Sequence, residues 1–555
     1  MAFPSMAPER AQRIKAAIEA ALRDGFNAPG GALGRGSAVT EAARRLAEAG
    51  HAETRNSVAG FLRTQGNRQA RGLDHYLPDW SLFSRPGVAP GEIRRGQVRR
   101  WLLTAAQDDT DVHPAFWRNL HAYAAHLGAE ILVAGFTYQQ VRHTDRLTLA
   151  STYRPELRDH LRFDPVDLGP VLFAAEMNTL PTAVKPLSGL MTYSRGRDAV
   201  FPHAKLSYQT VPQMPGAFVP SLMTTGACTV PNYVPKKAGL KAEFHHILGA
   251  ALVEVDGDGR AFMRSISATA DGAFQDLDAR VVAGAVSLGH RVEAITWGDI
   301  HLPSVAPEIF DHLWGARADS AIEALRPRHQ FFHDLLSFEQ ASRHVDGDPL
   351  HRARMVHRGL SGMQAHVAEG AAFLRATERE FCRSVMIESN HDDRLLQWAR
   401  RDPDRRDVEN VAYWHRCNLA VLEAEAAQVE GFNLLRAMLQ LEDPRRLEGI
   451  EFVPMGASYA ICQASGGIEC GMHGHLGPNG SRGTAAGLSR MARRITIGDK
   501  HSPEIVDGVY VAGMTGALDQ GYNRGPGSWR RAHVVAYANG KRTILTQSDD
   551  GKWRA

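Results

Sequence analysis

The segment from residue 295 to residue 301, Ile-Thr-Trp-Gly-Asp-Ile-His, places two metal-binding side chains directly after a short apolar run. Asp299 and His301 are two residues apart, so in an extended chain both side chains point to the same side. A carboxylate oxygen and an imidazole nitrogen then converge on one point, as a divalent transition metal requires. This spacing is common by chance, and a capped loop is the alternative interpretation of these two residues alone.

Four later segments repeat the order of apolar run, short break and polar side chain. They are His333-Asp334, Glu388-Ser-Asn390-His391-Asp392, Gly471-Met-His473-Gly-His475 and Gly498-Asp499-Lys-His501-Ser-Pro503. Ligands at the exits of successive strands are typical of an open α/β layer, whose ligands lie outside the strand ends. Oxygen and nitrogen donors without cysteine favour Mn, Fe or Zn over a structural zinc site.

The order GD-x-H, D, NHD, H and G-x-x-H resembles that of the calcineurin-like metallophosphoesterases. The resemblance covers roughly residues 290–520. Within it, residues 473–483 and 498–510 are most similar to a phage subgroup that includes the host-DNA-degrading nuclease of T5-like bacteriophages. The resemblance implies a two-metal site on a β-sandwich flanked by helices, and it implies phosphodiester hydrolysis.

The resemblance also implies a role for each polar residue. Asp299 and His301 would hold the first metal, and Asp334 would bridge two metals with its two oxygens. The other metal ligands that it implies are Asn390, His473 or His475, Asp499 and His501. His391, paired with Asp392, would contact substrate and protonate the leaving oxygen, since a histidine oriented by a carboxylate is a good acid near pH 7. Two Mn2+ ions are expected, with Mg2+, Fe or Zn2+ as alternatives.

Asp499 stands where the family has the first histidine of G-H-x-H. We expect Asp499 to replace that histidine as a ligand, because the preceding strand and the following His-Ser-Pro are intact. An anionic oxygen favours Mn2+ or Mg2+ over Zn2+. The other option is that Asp499 faces away from the site and leaves one metal weakly held.

Length and composition describe an ordinary globular protein of more than one domain. The 555 residues are too many for one core, and hydrophobic and charged residues make up 44% and 23% of the chain. The net charge of +3 is compatible with nucleic-acid binding without arguing for it. Five cysteines without a C-x-x-C pair indicate a reducing compartment. No membrane span or signal peptide is apparent, so we expect a cytoplasmic protein, in the host cell if it is phage-encoded.

The predicted fold class is α/β, in three domains. Residues 1–85 form a helical head, residues 86–288 a mixed α/β domain without an assigned role, and residues 289–555 the metallophosphoesterase domain. The last domain is expected to carry a helical insertion near residues 340–378 and one long amphipathic helix over residues 408–440.

The head has the pattern of a helix-turn-helix unit. Apolar spacing predicts helices over residues 8–24, 37–49 and 53–64, with a Gly-containing turn before the third. In the DNA-binding form the second helix of such a unit enters the major groove by its N-terminal residues. The candidate DNA contacts are Arg55, Asn56 and Arg63, together with Arg482 as a phosphate clamp in the loop after His475. The alternatives are an ordinary helical hairpin and a loop-capping arginine.

These features predict a two-metal nuclease that hydrolyses DNA. Two other functions stay open. One is a phosphatase or phosphodiesterase that acts on nucleotides or phosphoproteins, because the same metal core serves many substrates. The other is a DNA-binding regulator with a decayed phosphoesterase domain, which the change at Asp499 allows. The expected partner is DNA and not a membrane, and a homo-oligomer is compatible with the sequence.

Overall fold

The computed structural model describes residues 8–24, 38–54, 57–58, 61, 97–138, 153–342, 348–401 and 407–555. Within these ranges the chain is a mixed α/β protein whose strands form four sheets, which confirms the predicted α/β class. None of the helices in these ranges is both long enough and apolar enough to cross a membrane. Strands and helices are numbered below in chain order.

The N-terminal head is helical, as predicted. Helices α1 (Pro8–Arg23) and α2 (Ala38–Glu48) bury Ile14, Ile18 and Leu46 in one small core. Ile14 and Ile18 are four residues apart and therefore lie on one face of α1. The third predicted helix is described only at residues 57–58 and 61, which are helical. Arg55, Asn56 and Arg63 lie outside the described residues, so their contact with DNA stays a prediction.

A five-stranded sheet of order β10-β9-β1-β2-β3 follows the head. Its strands are β1 (Arg99–Gln107), β2 (Glu130–Phe136), β3 (Leu161–Arg162), β9 (Gly249–Val255) and β10 (Ala261–Ser267). Helix α3 (Pro114–Leu127) connects the parallel strands β1 and β2. Pro114 at the first turn and Gly128 after the last, at φ 62°, set the two ends of α3.

A ten-stranded sheet has the order β18-β19-β20-β22-β21-β7-β8-β6-β5-β4 in the described residues. Its first half is β4 (Val166–Asp167), β5 (Val171–Phe173), β6 (Asp198–Phe201), β7 (Tyr208–Thr210) and β8 (Ser221–Thr224). Its second half is β18 (Ala460–Ile461), β19 (Ile468–Glu469), β20 (Ile495–Ile497), β21 (Glu504–Val506) and β22 (Val509–Val511). The halves meet where Ile505 of β21 pairs with Tyr208 of β7. Segments from both sides of residue 288 therefore share one sheet.

A six-stranded sheet of order β17-β16-β15-β14-β23-β24 carries the first three polar segments. Strands β14 (Ala294–Thr296), β15 (His329–Phe332), β16 (Arg383–Ile387) and β17 (Ile450–Val453) are parallel. Strands β23 (Ala532–Ala536) and β24 (Arg542–Thr546) extend the sheet antiparallel. A small three-stranded sheet holds β11 (Phe274–Asp276), β12 (Ala279–Val282) and β13 (Ala285–Ser287).

The six-stranded sheet is buried on both faces. Phe331 and Val385 pack with Ile468 of the ten-stranded sheet, while the neighbouring Phe332 packs with Leu374 on the helical side. Successive side chains of a strand point to opposite faces, so each strand contributes to both cores.

The remaining helices of the described residues are α4 (Lys237–Phe244), α5 (Pro307–Trp314), α6 (Ala321–Leu325), α7 (Pro349–His357), α8 (Met363–Thr377), α9 (Asp393–Ala399), α10 (Val411–Ala426), α11 (Leu434–Glu442) and α12 (Ala485–Leu488).

Helices α7 and α8 lie in the region near residues 340–378 for which a helical insertion is predicted. The single helix predicted over residues 408–440 is wrong, because the structure has α10 and α11 there. Gly431 adopts φ 65°, a left-handed conformation that interrupts a right-handed helix. Asn433 then caps α11 by accepting a hydrogen bond from the Arg436 N–H at 2.8 Å.

A buried ion group joins the five-stranded sheet to β11. Arg264 of β10 donates to Glu254 of β9 and to Asp276 of β11, and all three side chains are at most 5% exposed. Asp276 Oδ2 accepts from the Tyr123 hydroxyl at 2.7 Å and from Arg264 Nη2 at 2.9 Å. Burial alone would lower the pKa of Arg264, but the two carboxylates raise it well above its usual value.

We expect Arg264→Leu to destabilise the protein by about 3–5 kcal/mol, because the substitution removes the cation of the buried Asp276 carboxylate and leaves Glu254 with Arg100 alone. The thermal melting temperature measured by circular dichroism should fall accordingly. Arg280→Leu is the matched control, since Arg280 is exposed on β12. Equal melting temperatures for the two variants would show that this ion group does not stabilise the fold.

Candidate metal centre

The polar segments meet at one place, because they follow the ends of neighbouring strands. Strands β14, β15 and β16 are parallel, so Asp299, Asp334 and Asn390 emerge at the same edge of the six-stranded sheet. The facing ten-stranded sheet brings His473 after β19 and residues 499–501 after β20. The predicted arrangement of side chains at successive strand ends is therefore present.

Four of these side chains form a compact buried group. Donor atoms of Asp299, His301, Asp334 and His501 all lie within 4.8 Å of one another. The His501 Nε2 lies 3.1 Å from Asp299 Oδ2, and the His301 Nε2 lies 3.4 Å from Asp334 Oδ2. The two Nε2 atoms themselves are 3.1 Å apart. Two carboxylates and two imidazoles around one point are a donor set for a divalent transition metal.

The second oxygen of Asp334 faces a second imidazole. Asp334 Oδ1 lies 3.3 Å from His473 Nε2, and this nitrogen lies 3.6 Å from Asp499 Oδ1. Asp334 thus stands between His301 on one side and His473 on the other. Asp499 faces this group with Oδ1, while its Oδ2 accepts a hydrogen bond from Lys500 Nζ. In the structure Asp499 faces the site, and the alternative in which it faces away does not occur.

Several buried polar atoms at the site have no hydrogen-bond partner among the described residues. They include Asp299 Oδ1, Asn390 Oδ1 and His475 Nδ1. Burying such an atom without a partner costs free energy, and each needs a physical reason. A cation bound by oxygen and nitrogen donors would satisfy acceptors of this kind. The residues present therefore fit a metal ion.

The backbone at the candidate ligands is held in an uncommon conformation. His301, Asp334, Asp499 and His501 have φ values of 51°, 44°, 66° and 58°. This left-handed region costs a residue with a side chain roughly 1–2 kcal/mol. The conformation persists because neighbouring backbone bonds fix it, including His301 N–H to Asp334 O at 2.7 Å. The sharp bend turns each side chain from its strand into the site.

The charges of the site are strongly coupled. Burial alone would lower the pKa of His473, but Asp334, Asp299 and Asp499 together raise it to about 9. Burial alone would raise the pKa of Asp334, but the surrounding histidines, His473 first, hold it well below its usual range. In the metal-free protein a proton on His473 therefore partly balances the carboxylates.

His391 lies beside the metal group but is held differently from the prediction. Its Nδ1 donates to the Ser337 carbonyl at 3.1 Å, and Arg394 Nη2 donates to its Nε2 at 2.9 Å. Asp392 instead accepts a hydrogen bond from the Ser389 N–H at 3.0 Å. The pairing of His391 with Asp392 is therefore wrong: among the described residues no hydrogen bond joins them. Burial lowers the pKa of His391 to about 4, and Arg394 and the nearby histidines add to this effect.

His475 and Arg482 lie further from the group. The His475 ring centroid is 5.4 Å from that of His473, so His473, which contacts Asp334 and Asp499, is the inner residue of the two. Arg482 is exposed, and its backbone bridges to Leu476. Its role as a phosphate clamp stays a prediction.

Sequence reasoning missed three neighbours of the site. His333 contributes a ring whose Nδ1 lies 3.3 Å from His473 Nδ1, Lys500 pairs with Asp499, and Arg394 contacts His391. Arg394 stands three residues after His391 at the start of α9, which places it one helical turn away. This spacing in the sequence could have identified Arg394 as a neighbour of His391.

The chain is thus an α/β protein with a candidate metal site, formed by carboxylates and imidazoles at the ends of its strands. Over 471 residues the chain is 32% identical to Protein A1 of Escherichia phage T5, and the match covers 82% of this chain and 83% of that protein. The chain therefore belongs to the family of this phage protein. No family model and no solved structure matches the chain.

Metal binding should release a proton from His473. With a pKa of about 9, His473 is mostly protonated at pH 7 and must lose its proton to become a ligand. We expect Mn2+ affinity to rise by about tenfold per pH unit between pH 6.5 and 8.5. Isothermal titration calorimetry in two buffers of different ionisation enthalpy counts the released protons.

His475→Gln is the control for this experiment, since burial lowers the pKa of His475 and leaves it neutral at pH 7. The control should release as many protons as the wild type. An Mn2+ affinity that does not change with pH would contradict the assignment of His473.

Gly498 is a second point at which the site can be tested. A Cβ at this position would lie 2.3 Å from Asp299 Oδ1 and 3.0 Å from His333 Cβ. Gly498→Ala should therefore displace Asp299 and weaken Mn2+ binding by about 10- to 100-fold. Gly527→Ala is the matched control, since a Cβ there meets no atom within 4 Å. Equal Mn2+ affinity in both variants would show that the close approach of residue 498 to Asp299 does not affect metal binding.

Proposed function

We propose that this protein is a metal-dependent phosphodiesterase that hydrolyses DNA. The observation that carries the proposal is the position of Asp334, whose two oxygens face His301 and His473 at 3.4 and 3.3 Å. One carboxylate between two imidazole groups is the arrangement that a pair of bridged metal ions requires. The order of motifs that resembles the calcineurin-like metallophosphoesterases supports the same function.

Two divalent ions, Mn2+ first and Mg2+, Fe or Zn2+ as alternatives, would supply positive charge that offsets the phosphodiester and makes water acidic enough to attack near neutral pH. Asp299, His301 and His501 would hold one ion. Asn390, His473 and Asp499 would hold the other, with Asp334 between them. The anionic Asp499 in place of a histidine favours Mn2+ or Mg2+ at the second position.

The residues of the chain prepare the proton transfer. The Ser337 carbonyl accepts the Nδ1 proton of His391, so the lone pair of this ring is on Nε2. The His391 and His301 rings pack at 4.5 Å between centroids, which places Nε2 beside the metal group. The negative charge of a bound phosphate would favour protonation of Nε2 by solvent water, with Arg394 Nη2 leaving Nε2. His391 would then give this proton to the leaving oxygen.

The surroundings of His501 support a nucleic-acid substrate. Trp529 contacts the His501 ring at 4.2 Å between centroids and also lines a cavity of about 550 Å³. Phe218, 56% exposed, and Arg531 line the same cavity. Aromatic faces next to a phosphodiester site suit the bases of a nucleic acid, while Arg531 in this cavity is paired with Asp549 at 2.8 Å. The helical head supplies a second candidate DNA contact.

We infer that the DNA is host DNA and that the protein acts in the host-cell cytoplasm. This part of the proposal rests on the resemblance of residues 473–483 and 498–510 to the phage subgroup, and the relative from phage T5 agrees with a phage origin. A phosphatase or phosphodiesterase that acts on nucleotides or phosphoproteins is the second candidate, since the same metal group suits both substrates. A decayed site is a weaker explanation, because Asp499 keeps an oxygen donor directed at His473.

Asp334→Asn should reduce DNA cleavage by at least about 10³-fold, because the amide removes the charge between the two cations. Cleavage of plasmid DNA and of bis-p-nitrophenyl phosphate should be measured with Mn2+ and with EDTA. Asp311→Asn is the control, since it removes the same charge from an exposed position on α5.

Wild-type protein that cleaves neither substrate with Mn2+ would refute the proposed function. Cleavage of the small diester without cleavage of DNA would favour the second candidate instead.

A further inference from the structure

Arg394 is a cation at the candidate metal centre that has no anionic hydrogen-bond partner in the described part of the chain. Its Nη1 donates to the Ser337 carbonyl at 2.7 Å and its Nη2 donates to His391 Nε2 at 2.9 Å. Both acceptors are neutral. Among the described residues no carboxylate lies within ion-pair distance of the Arg394 guanidinium, although burial is sufficient to lower its pKa. A partly buried guanidinium without a counterion is costly, and a ligand could supply the missing charge.

Other buried arginines of the chain show the contrast. Arg264 and Arg530 each pair with carboxylates. Arg542 has no carboxylate partner among the described residues but donates to two carbonyls and the Thr496 hydroxyl, and its guanidinium lies 4.1 Å from the centre of the Tyr510 ring. Each of these three arginines makes at least three hydrogen bonds within the fold. Within the described part of the chain Arg394 makes two with the five N–H groups of its guanidinium, which leaves three for a ligand.

The position of Arg394 identifies the chemistry of that ligand. His391 separates Arg394 from His301 by one imidazole ring, and His301 belongs to the metal group. The Ser337 carbonyl accepts from both Arg394 and His391, so one backbone oxygen fixes the two side chains relative to each other. An anion that contacts the metal ions on one side and Arg394 on the other would lie next to His391.

We propose that Arg394 binds a non-bridging oxygen of the phosphate group that the metal centre receives. This inference rests on the proposed function, since it assigns one binding residue of the same site. The planar guanidinium presents parallel N–H groups to phosphate, which a lysine cannot do. Arg394 thereby holds the phosphate beside Nε2 of His391, and the leaving oxygen lies on the side of the proton donor.

Binding of inorganic phosphate to the Mn2+-loaded full chain tests the proposal without any catalytic step. Isothermal titration calorimetry should show that Arg394→Gln weakens phosphate binding by about 10- to 100-fold, the range of a charge-assisted hydrogen-bond pair. Arg394→Lys should lie between this variant and the wild type. Arg400→Gln removes the same charge from an exposed position at the end of α9 and should bind phosphate like the wild type.

Mn2+ content and circular dichroism should stay unchanged in Arg394→Lys, which keeps the test valid if Arg394→Gln folds poorly. If Arg394 only orients His391, turnover would fall while phosphate affinity stays at the wild-type value, and the proposal is overturned. The same conclusion follows if the Mn2+-loaded wild type does not bind phosphate. Phosphate binding that depends on Arg394 in a protein that does not cleave DNA would refute the proposed nuclease and keep the phosphate site.

Discussion

The carboxylate of Asp334 is the constraint on which the rest of this site depends. It is buried, and its two oxygens face the imidazole rings of two different histidines, His301 and His473. A buried carboxylate is tolerated only when cations or hydrogen bonds stabilise its charge. In the metal-free protein the proton on His473 provides part of that charge, and a metal ion would displace it. The same carboxylate thus couples proton and metal binding.

The fold supplies this constraint by bringing two sheets together at one edge. Asp334 and Asp299 come from parallel strands of the six-stranded sheet, while His473 and His501 come from the ten-stranded sheet. Phe331 and Ile468 belong to the hydrophobic core that packs between the two sheets. Because the ten-stranded sheet also contains residues 166–224, the segment before the metal site is part of its support.

The sequence predicted the strand-end positions of the candidate metal ligands, because apolar runs followed by Asp or His are local patterns. It also predicted the direction of Asp499 by its intact flanks. It did not predict the partner of His391, because Arg394 and Ser337 reach that ring through the tertiary fold. The break at Gly431 was overlooked because the apolar pattern continues through it. The shared ten-stranded sheet depends on pairing between distant residues, such as Ile505 with Tyr208, which leaves no local pattern.

Anomalous diffraction from crystals grown with Mn2+ tests whether Asp334 lies between two metal ions. We expect two anomalous peaks roughly 3.5–4 Å apart, one on each side of the Asp334 carboxylate. A single peak among Asp299, His301 and His501, with none beside His473, would contradict the bridging role of Asp334.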